Sequence, residues 1–166
     1  LTEAGYGLSC VVYSSAAIGA LLLDGIGDTI RVSMTGDPVE EVVVAKKILE
    51  AAGLRTAPVR IIACPTCGRT DPSLDLLSLA QEVEREIEGR FGKSLELSGR
   101  GIVVAVMGCE VNGPGEAAHA DAGIAGGRGG AMLLFSRGKK PRRITSGEAV
   151  RALADEVERI VQEGSE

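Results

Sequence analysis

Two short aliphatic runs, Val59 to Ala63 and Gly101 to Met107, constrain this chain most, because each passes straight into a Gly/Pro-rich loop that carries cysteine. Each reads as a short buried strand of the kind found in parallel α/β sheets, where both faces are covered. The first delivers Cys64-Pro-Thr-Cys67-Gly-Arg, and the second delivers Gly108-Cys109-Glu-Val-Asn-Gly-Pro-Gly-Glu116. Two parallel strands ending at the same sheet edge bring all three cysteines together at a topological switch point, where α/β proteins build ligand sites. The rest of the composition agrees: 45% of the 166 residues are hydrophobic but only 2% are aromatic, so Val, Ile, Leu and Ala must form the core.

The flanking segments follow a β–α alternation. Leu1 and Thr2 read as a strand end with Glu3 at its tip, followed by a helix over 14–24 that Gly25 stops. Asp28 to Met34 alternates, with Ile30, Val32 and Met34 on one face and Arg31 and Ser33 on the other, and so predicts a strand. Asp37, Pro38 and Glu40 announce a second helix with an apolar stripe of Val42, Ala45, Ile48 or Leu49, and Ala52. Past a boundary near residues 54–58, Asp71-Pro72 opens a helix whose buried stripe is Leu76, Ala80, Val83 and Ile87. Strands follow at 121–125, 131–135 and 142–144. A closing helix starts from a Thr145/Glu148 capping box and buries Val150, Leu153, Val157 and Ile160. The Gly126 to Gly130 stretch reads as a hairpin turn, since it lacks the strand–helix context and the Lys-Ser/Thr of a phosphate loop.

Composition excludes several functions. A net charge of −5 argues against a general nucleic-acid binder. The basic run Arg137 to Arg143 reads as a solvated hairpin, with docking of an acidic partner as its alternative. No apolar stretch approaches the ~20 residues of a membrane span; the longest, Ala16 to Leu23, is short and has no basic residues before it, so a secretory signal is not expected. Four cysteines are too few for a disulfide scaffold, so Cys-x-x-Cys reads as metal or redox chemistry in a reducing cytoplasm. Three thiolates with Glu116 as a movable oxygen ligand suit a cubane iron–sulfur cluster with one reactive iron. A structural zinc site using Cys64, Cys67, Cys109 and His119, the only histidine, satisfies the same spacing. Cys10 lies among small and apolar residues and reads as an inert core thiol. The start at Leu1 suggests the C-terminal part of a longer polypeptide.

Ala63 to Thr70 and Met107 to Ala117 resemble the cluster motifs of the 4-hydroxy-3-methylbut-2-enyl diphosphate synthase family, as do Thr2 to Gly5 and Asp24 to Ser33. The resemblance implies an α/β fold. Residues 1–55 would be the last two βα units of a (β/α)8 barrel, and 56–166 an iron–sulfur domain similar to half of a sulfite reductase. It implies a [4Fe–4S] cluster held by Cys64, Cys67, Cys109 and Glu116. The reaction is then reductive ring opening and dehydroxylation of 2-C-methyl-D-erythritol 2,4-cyclodiphosphate, a step of non-mevalonate isoprenoid synthesis. Ferredoxin or flavodoxin would supply the electrons. Glu3 is implied as a proton donor or orienting group, and Arg31 and Ser33 as diphosphate contacts. The family works as a cytoplasmic homodimer in which the cluster domain caps the partner's barrel, so this fragment alone is expected to be inactive.

Overall fold

In the computed structural model, which describes residues 4–111, 115 and 117–163, the chain divides into two compact units at Ala57/Pro58. The first unit is built on α1 (Gly7–Leu23) and α2 (Pro38–Ala51). Cys10, Ser14, Ile18 and Leu22, spaced by four, form the buried stripe of α1. The helix begins seven residues before the expected 14. The run 7–13 mixes small and apolar residues with no polar face, so it carried no period, and Tyr6 offers no side-chain cap. Asp37 caps α2 as anticipated, its carboxylate accepting from the Val39 N–H at 2.9 Å. Glu41 accepts from the Met34 N–H at 2.7 Å and ties the preceding segment to the helix.

Asp28 to Met34 is not a strand. Among the described residues its pairing is one parallel bridge, Gly5 to Met34, with the Thr35 N–H donating to the Gly5 carbonyl at 2.7 Å. Alternation places Val32 inside and Arg31 outside, but a ladder needs a neighbour along its whole length. Val42 is exposed rather than part of the α2 stripe; the core of this unit is Ile18, Leu22, Val32 and Ile48, flanked by Val44, Ala45, Leu49 and Ala52.

The second unit is a five-stranded sheet in sequential order: β1 (Val59–Ala63), β2 (Ile102–Met107), β3 (Ala122–Gly126), β4 (Ala131–Ser136) and β5 (Arg142–Thr145). β1, β2 and β3 run parallel, in the register Ala63 to Val106 and Met107 to Ala125, while β4 and β5 are antiparallel additions. Between β1 and β2 lie α3 (Leu76–Ile87), a π-helical turn (Glu88–Gly92) and α4 (Lys93–Ser98). The chain closes with α5 (Ala149–Glu163), entered through the expected reciprocal Thr145/Glu148 capping box.

Helix α3 starts at Leu76, four residues after Pro72. Asp75 is its cap and accepts from the Ser78 N–H at 3.0 Å. Asp71 instead closes a turn on Ser73, so an Asp-Pro pair that looked like a helix start is a loop device. The predicted stripe of Leu76, Ala80, Val83 and Ile87 is fully buried. It packs with Leu153 and Val157 of α5 over Val104, Val106, Ile124 and Leu134 of the sheet. Each large aliphatic side chain in that layer stabilises the fold by about 1.5–3 kcal/mol. The opposite sheet face is smaller, with Ala105, Met107 and Ala125 beneath Ala117 and Ala120.

Candidate metal centre

The parallel register decides where the cysteines fall. β1 ends at Ala63 and β2 at Met107, so Cys64 and Gly108-Cys109 leave the sheet side by side. The Gly108 N–H donates to Cys64 Sγ at 3.1 Å, a direct link between the two cysteine segments. Cys109 is buried, Cys64 half-buried and Cys67 exposed, and all three are free thiols. The Thr70 N–H donates to the Cys67 carbonyl at 3.0 Å, closing the turn that follows Cys67.

Two glycines allow the close approach. A Cβ on Gly108 would stand 2.5 Å from Thr70 Oγ1, and one on Gly126, at the end of β3, 2.8 Å from the Gly108 carbonyl oxygen. The backbone at the end of β3 therefore packs directly on the backbone leaving β2, and the Thr70 side chain packs on Gly108. Asp71 joins them to the β3–β4 hairpin by accepting from the Gly129 N–H at 3.1 Å. Its hydrogen bonds from Ser73 and Gly129 hold this carboxyl below the usual carboxylate range. Glu110, next to Cys109, pairs with Arg143 of β5 at 3.2 Å. A cleft of about 650 Å³ opens beside Cys109, with Arg69, Thr70, Asp71, Glu110 and Arg128 in its walls.

The sequence anticipated all three cysteines at one sheet edge; Cys64 and Cys109 leave the sheet there side by side, and Cys67 lies exposed in the loop that follows Cys64. Glu116 and Glu3 lie outside the described residues. Arg31 and Ser33 come together in the first unit, in the wall of a cleft of about 490 Å³ shared with Ile18, Leu22 and Ile26. Cys10 is buried there too, its thiol donating to the Ser33 carbonyl at 3.2 Å. His119 is exposed in a turn. Among the described residues, no three Cys, His, Asp or Glu side chains converge closely enough to grip one ion. A multi-iron cluster needs thiols spread around a larger body, and three free cysteines with an N–H aimed at sulfur are a donor set that fits it. Sequence reasoning missed Arg69, Arg128 and the Glu110–Arg143 pair; Arg69 stood inside the cysteine motif, and Arg128 was visible at the centre of the glycine hairpin.

Residues 60–159 match the family model described as GcpE protein C-terminal domain, and residues 1–46 match the GcpE TIM-barrel domain. The chain belongs to the GcpE family. It is 47% identical over 160 residues to the 4-hydroxy-3-methylbut-2-en-1-yl diphosphate synthase (flavodoxin) of Clostridium tetani, covering 96% of this chain and 43% of that protein. The protein of that name from Geobacter sulfurreducens is 47% identical over 163 residues, covering 98% and 43%. The one from Clostridium acetobutylicum is 49% identical over 160 residues, covering 96% and 43%. The chain thus spans less than half the length of these relatives.

Proposed function

We propose that the chain is the cluster-bearing C-terminal part of an iron–sulfur reductase. Its reaction is the opening and dehydroxylation of 2-C-methyl-D-erythritol 2,4-cyclodiphosphate to 4-hydroxy-3-methylbut-2-enyl diphosphate. The observation that carries this reading is the pair of parallel strand ends that set Cys64 and Cys109 at one edge, linked by the Gly108 N–H. The names of the relatives support the reaction and flavodoxin as electron donor, with ferredoxin as the other candidate.

Cys64, Cys67 and Cys109 would hold a [4Fe–4S] cluster, with Glu116 as its fourth ligand. Such a cluster, when bound, would pass the donor's two electrons on one at a time and present a Lewis-acidic iron at the same place. The chain's own residues set its surroundings. The Gly108 N–H offsets negative charge on the Cys64 sulfur and so favours the reduced state. The burial of Cys109 keeps water from its sulfur, while the exposure of Cys67 leaves one side open to an electron carrier. Glu116 would be the fourth holder of the cluster, a harder and weaker donor than the three thiolates. Arg31 neutralises diphosphate, Ser33 hydrogen-bonds it, and Glu3 holds a proton near the reacting hydroxyls.

In this reading, residues 1–55 are the last two βα units of a (β/α)8 barrel and 56–166 a domain like half of a sulfite reductase. Strand C-terminal ends are where barrel enzymes carry their sites. The working form is a cytoplasmic homodimer in which the barrel facing the cluster belongs to the other subunit, so the fragment alone turns nothing over.

The test uses the full-length polypeptide purified without oxygen. Roughly four iron and four acid-labile sulfide per chain, with visible absorption bleaching in air, is the expected result. One zinc and no sulfide would overturn the reading in favour of the His119 site. Glu116→Ala should keep most of the iron and lose turnover with reduced flavodoxin by about 10²-fold or more. Unchanged turnover removes Glu116 from the chemistry.

A further inference from the structure

The cleft beside Cys109 has an unbalanced charge pattern that the assignments so far leave unused. Four charged side chains line it: Arg69, Arg128, Asp71 and Glu110. Both carboxylates are already engaged. Asp71 accepts from the Ser73 N–H at 2.9 Å, the Ser73 hydroxyl at 2.6 Å and the Gly129 N–H at 3.1 Å. Glu110 is paired with Arg143 at 3.2 Å. Arg69 and Arg128 are both exposed, and among the described residues neither has a carboxylate partner. The cleft therefore presents two uncommitted guanidiniums, one from the loop after Cys67 and one from the β3–β4 hairpin.

Their placement is fixed by the surrounding backbone. The Asp71 to Gly129 hydrogen bond ties the hairpin to the cysteine loop, and the Gly127 N–H donates to the Ala131 carbonyl at 2.7 Å across the hairpin mouth. Gly126 sets the hairpin's start against the Gly108 carbonyl, where no side chain fits. Arg128 is thus carried on an anchored turn one residue away from that hydrogen bond.

We propose that Arg69 and Arg128 form an oxyanion subsite that takes a phosphate or diphosphate group beside Cys109, and that positioning Arg128 is the role of the Gly126 to Gly130 hairpin. The inference rests on the reading of Cys109 as part of the reductive centre, and adds that the cluster-bearing unit itself holds part of the phosphorylated substrate. Guanidinium groups suit the task because their forked donors match phosphate oxygens. A concave cleft of about 650 Å³ is the size of a small-molecule pocket and poorly shaped for the surface of a protein partner.

The probe is inorganic pyrophosphate on the full-length protein, read by the rate at which phenylglyoxal modifies each arginine, mapped by mass spectrometry. Pyrophosphate should slow modification of Arg69 and Arg128 by about fivefold or more, and leave Arg137, exposed on the β4–β5 hairpin, unchanged. Because Arg31 and Ser33 also take diphosphate, the subsite is read at Arg128 itself: in Arg69→Gln, protection of Arg128 should need at least about tenfold more pyrophosphate, with Arg69→Lys recovering only part of the loss. Modification rates indifferent to pyrophosphate overturn the subsite. So does an Arg69→Gln variant in which pyrophosphate protects Arg128 normally while flavodoxin binds weakly, which would make the arginines a docking surface. Iron and sulfide content, measured on the same samples, separates these outcomes from failure of the reductase reading itself.

Discussion

The two units handle apolar surface in opposite ways. In the second, β2 and β3 are buried almost throughout, and large side chains exposed among the described residues are few: Leu77, Leu97 and Val111. The first has a four-residue buried core, while Tyr6, Leu8, Val12, Tyr13, Leu21, Leu23, Ile26, Val39, Val42, Val43 and Leu54 are exposed. A cooperative core lies on one side of Ala57, and helices with more apolar surface than they can bury themselves lie on the other. The candidate site residues are split the same way: the cysteine edge stands on the larger sheet core, while Arg31 and Ser33 lie in the smaller unit.

The largest expected effect breaks that contrast in the stronger unit. Leu153→Ala empties a fully buried site between α5 and the sheet and should cost about 3–4 kcal/mol in denaturant unfolding. Ile18→Ala, in the smaller core, should cost about 2 kcal/mol or less, because neighbours near the surface can close in. Equal losses would mean the two cores are equivalent.

Next comes the strand edge. Gly126→Ala sets a Cβ against the Leu74 side-chain end, which can rotate away, and against the Gly108 carbonyl oxygen, which yields only if the backbone beside Cys109 moves. A loss of about 1–3 kcal/mol and reduced iron content are expected. Full iron content with unchanged stability would show that the β2 and β3 ends do not need this close approach.

The smallest effect concerns Glu156 of α5. Burial alone would raise its pKa, but hydrogen bonds from Arg159, Ser136 and Lys139 outweigh that and hold it at about 2. Its folded pKa lies below the unfolded value of 4.5, so its stabilisation is complete above pH 4.5 and disappears as pH falls from there toward 2. Discounted for its exposed partners, the contribution is about 1–2 kcal/mol at neutral pH. Glu156→Gln should lose that amount at pH 7 and little near pH 2.5, as followed by urea midpoints.

Legibility in the sequence tracked how local each signal was. The aliphatic strands, the Leu76 to Ile87 stripe and the Thr145/Glu148 box are set by residues within a few positions of each other, and each appears as anticipated. Asp28 to Met34 had a strand's alternation, yet strand formation depends on a partner that no local pattern reports. Asp71 mimicked a helix cap because a cap and an Asx turn use the same carboxylate. At the site, Cys64 and Cys109 were legible because strand ends in a parallel sheet share an edge. The cleft that brings Arg69 to Arg128 depends on a hairpin far along the chain, and spacing alone does not announce it.

The most direct test sets the two units against each other through their cysteines. Iron and acid-labile sulfide would be measured after anaerobic purification of full-length Cys109→Ser and Cys10→Ser. Cys109→Ser should lose most sulfide, whereas Cys10→Ser, whose thiol donates to Ser33, should keep roughly four iron and four sulfide. A Cys109→Ser protein with its iron and sulfide intact, or a Cys10→Ser protein stripped of them, would contradict a centre built at the β1–β2 edge.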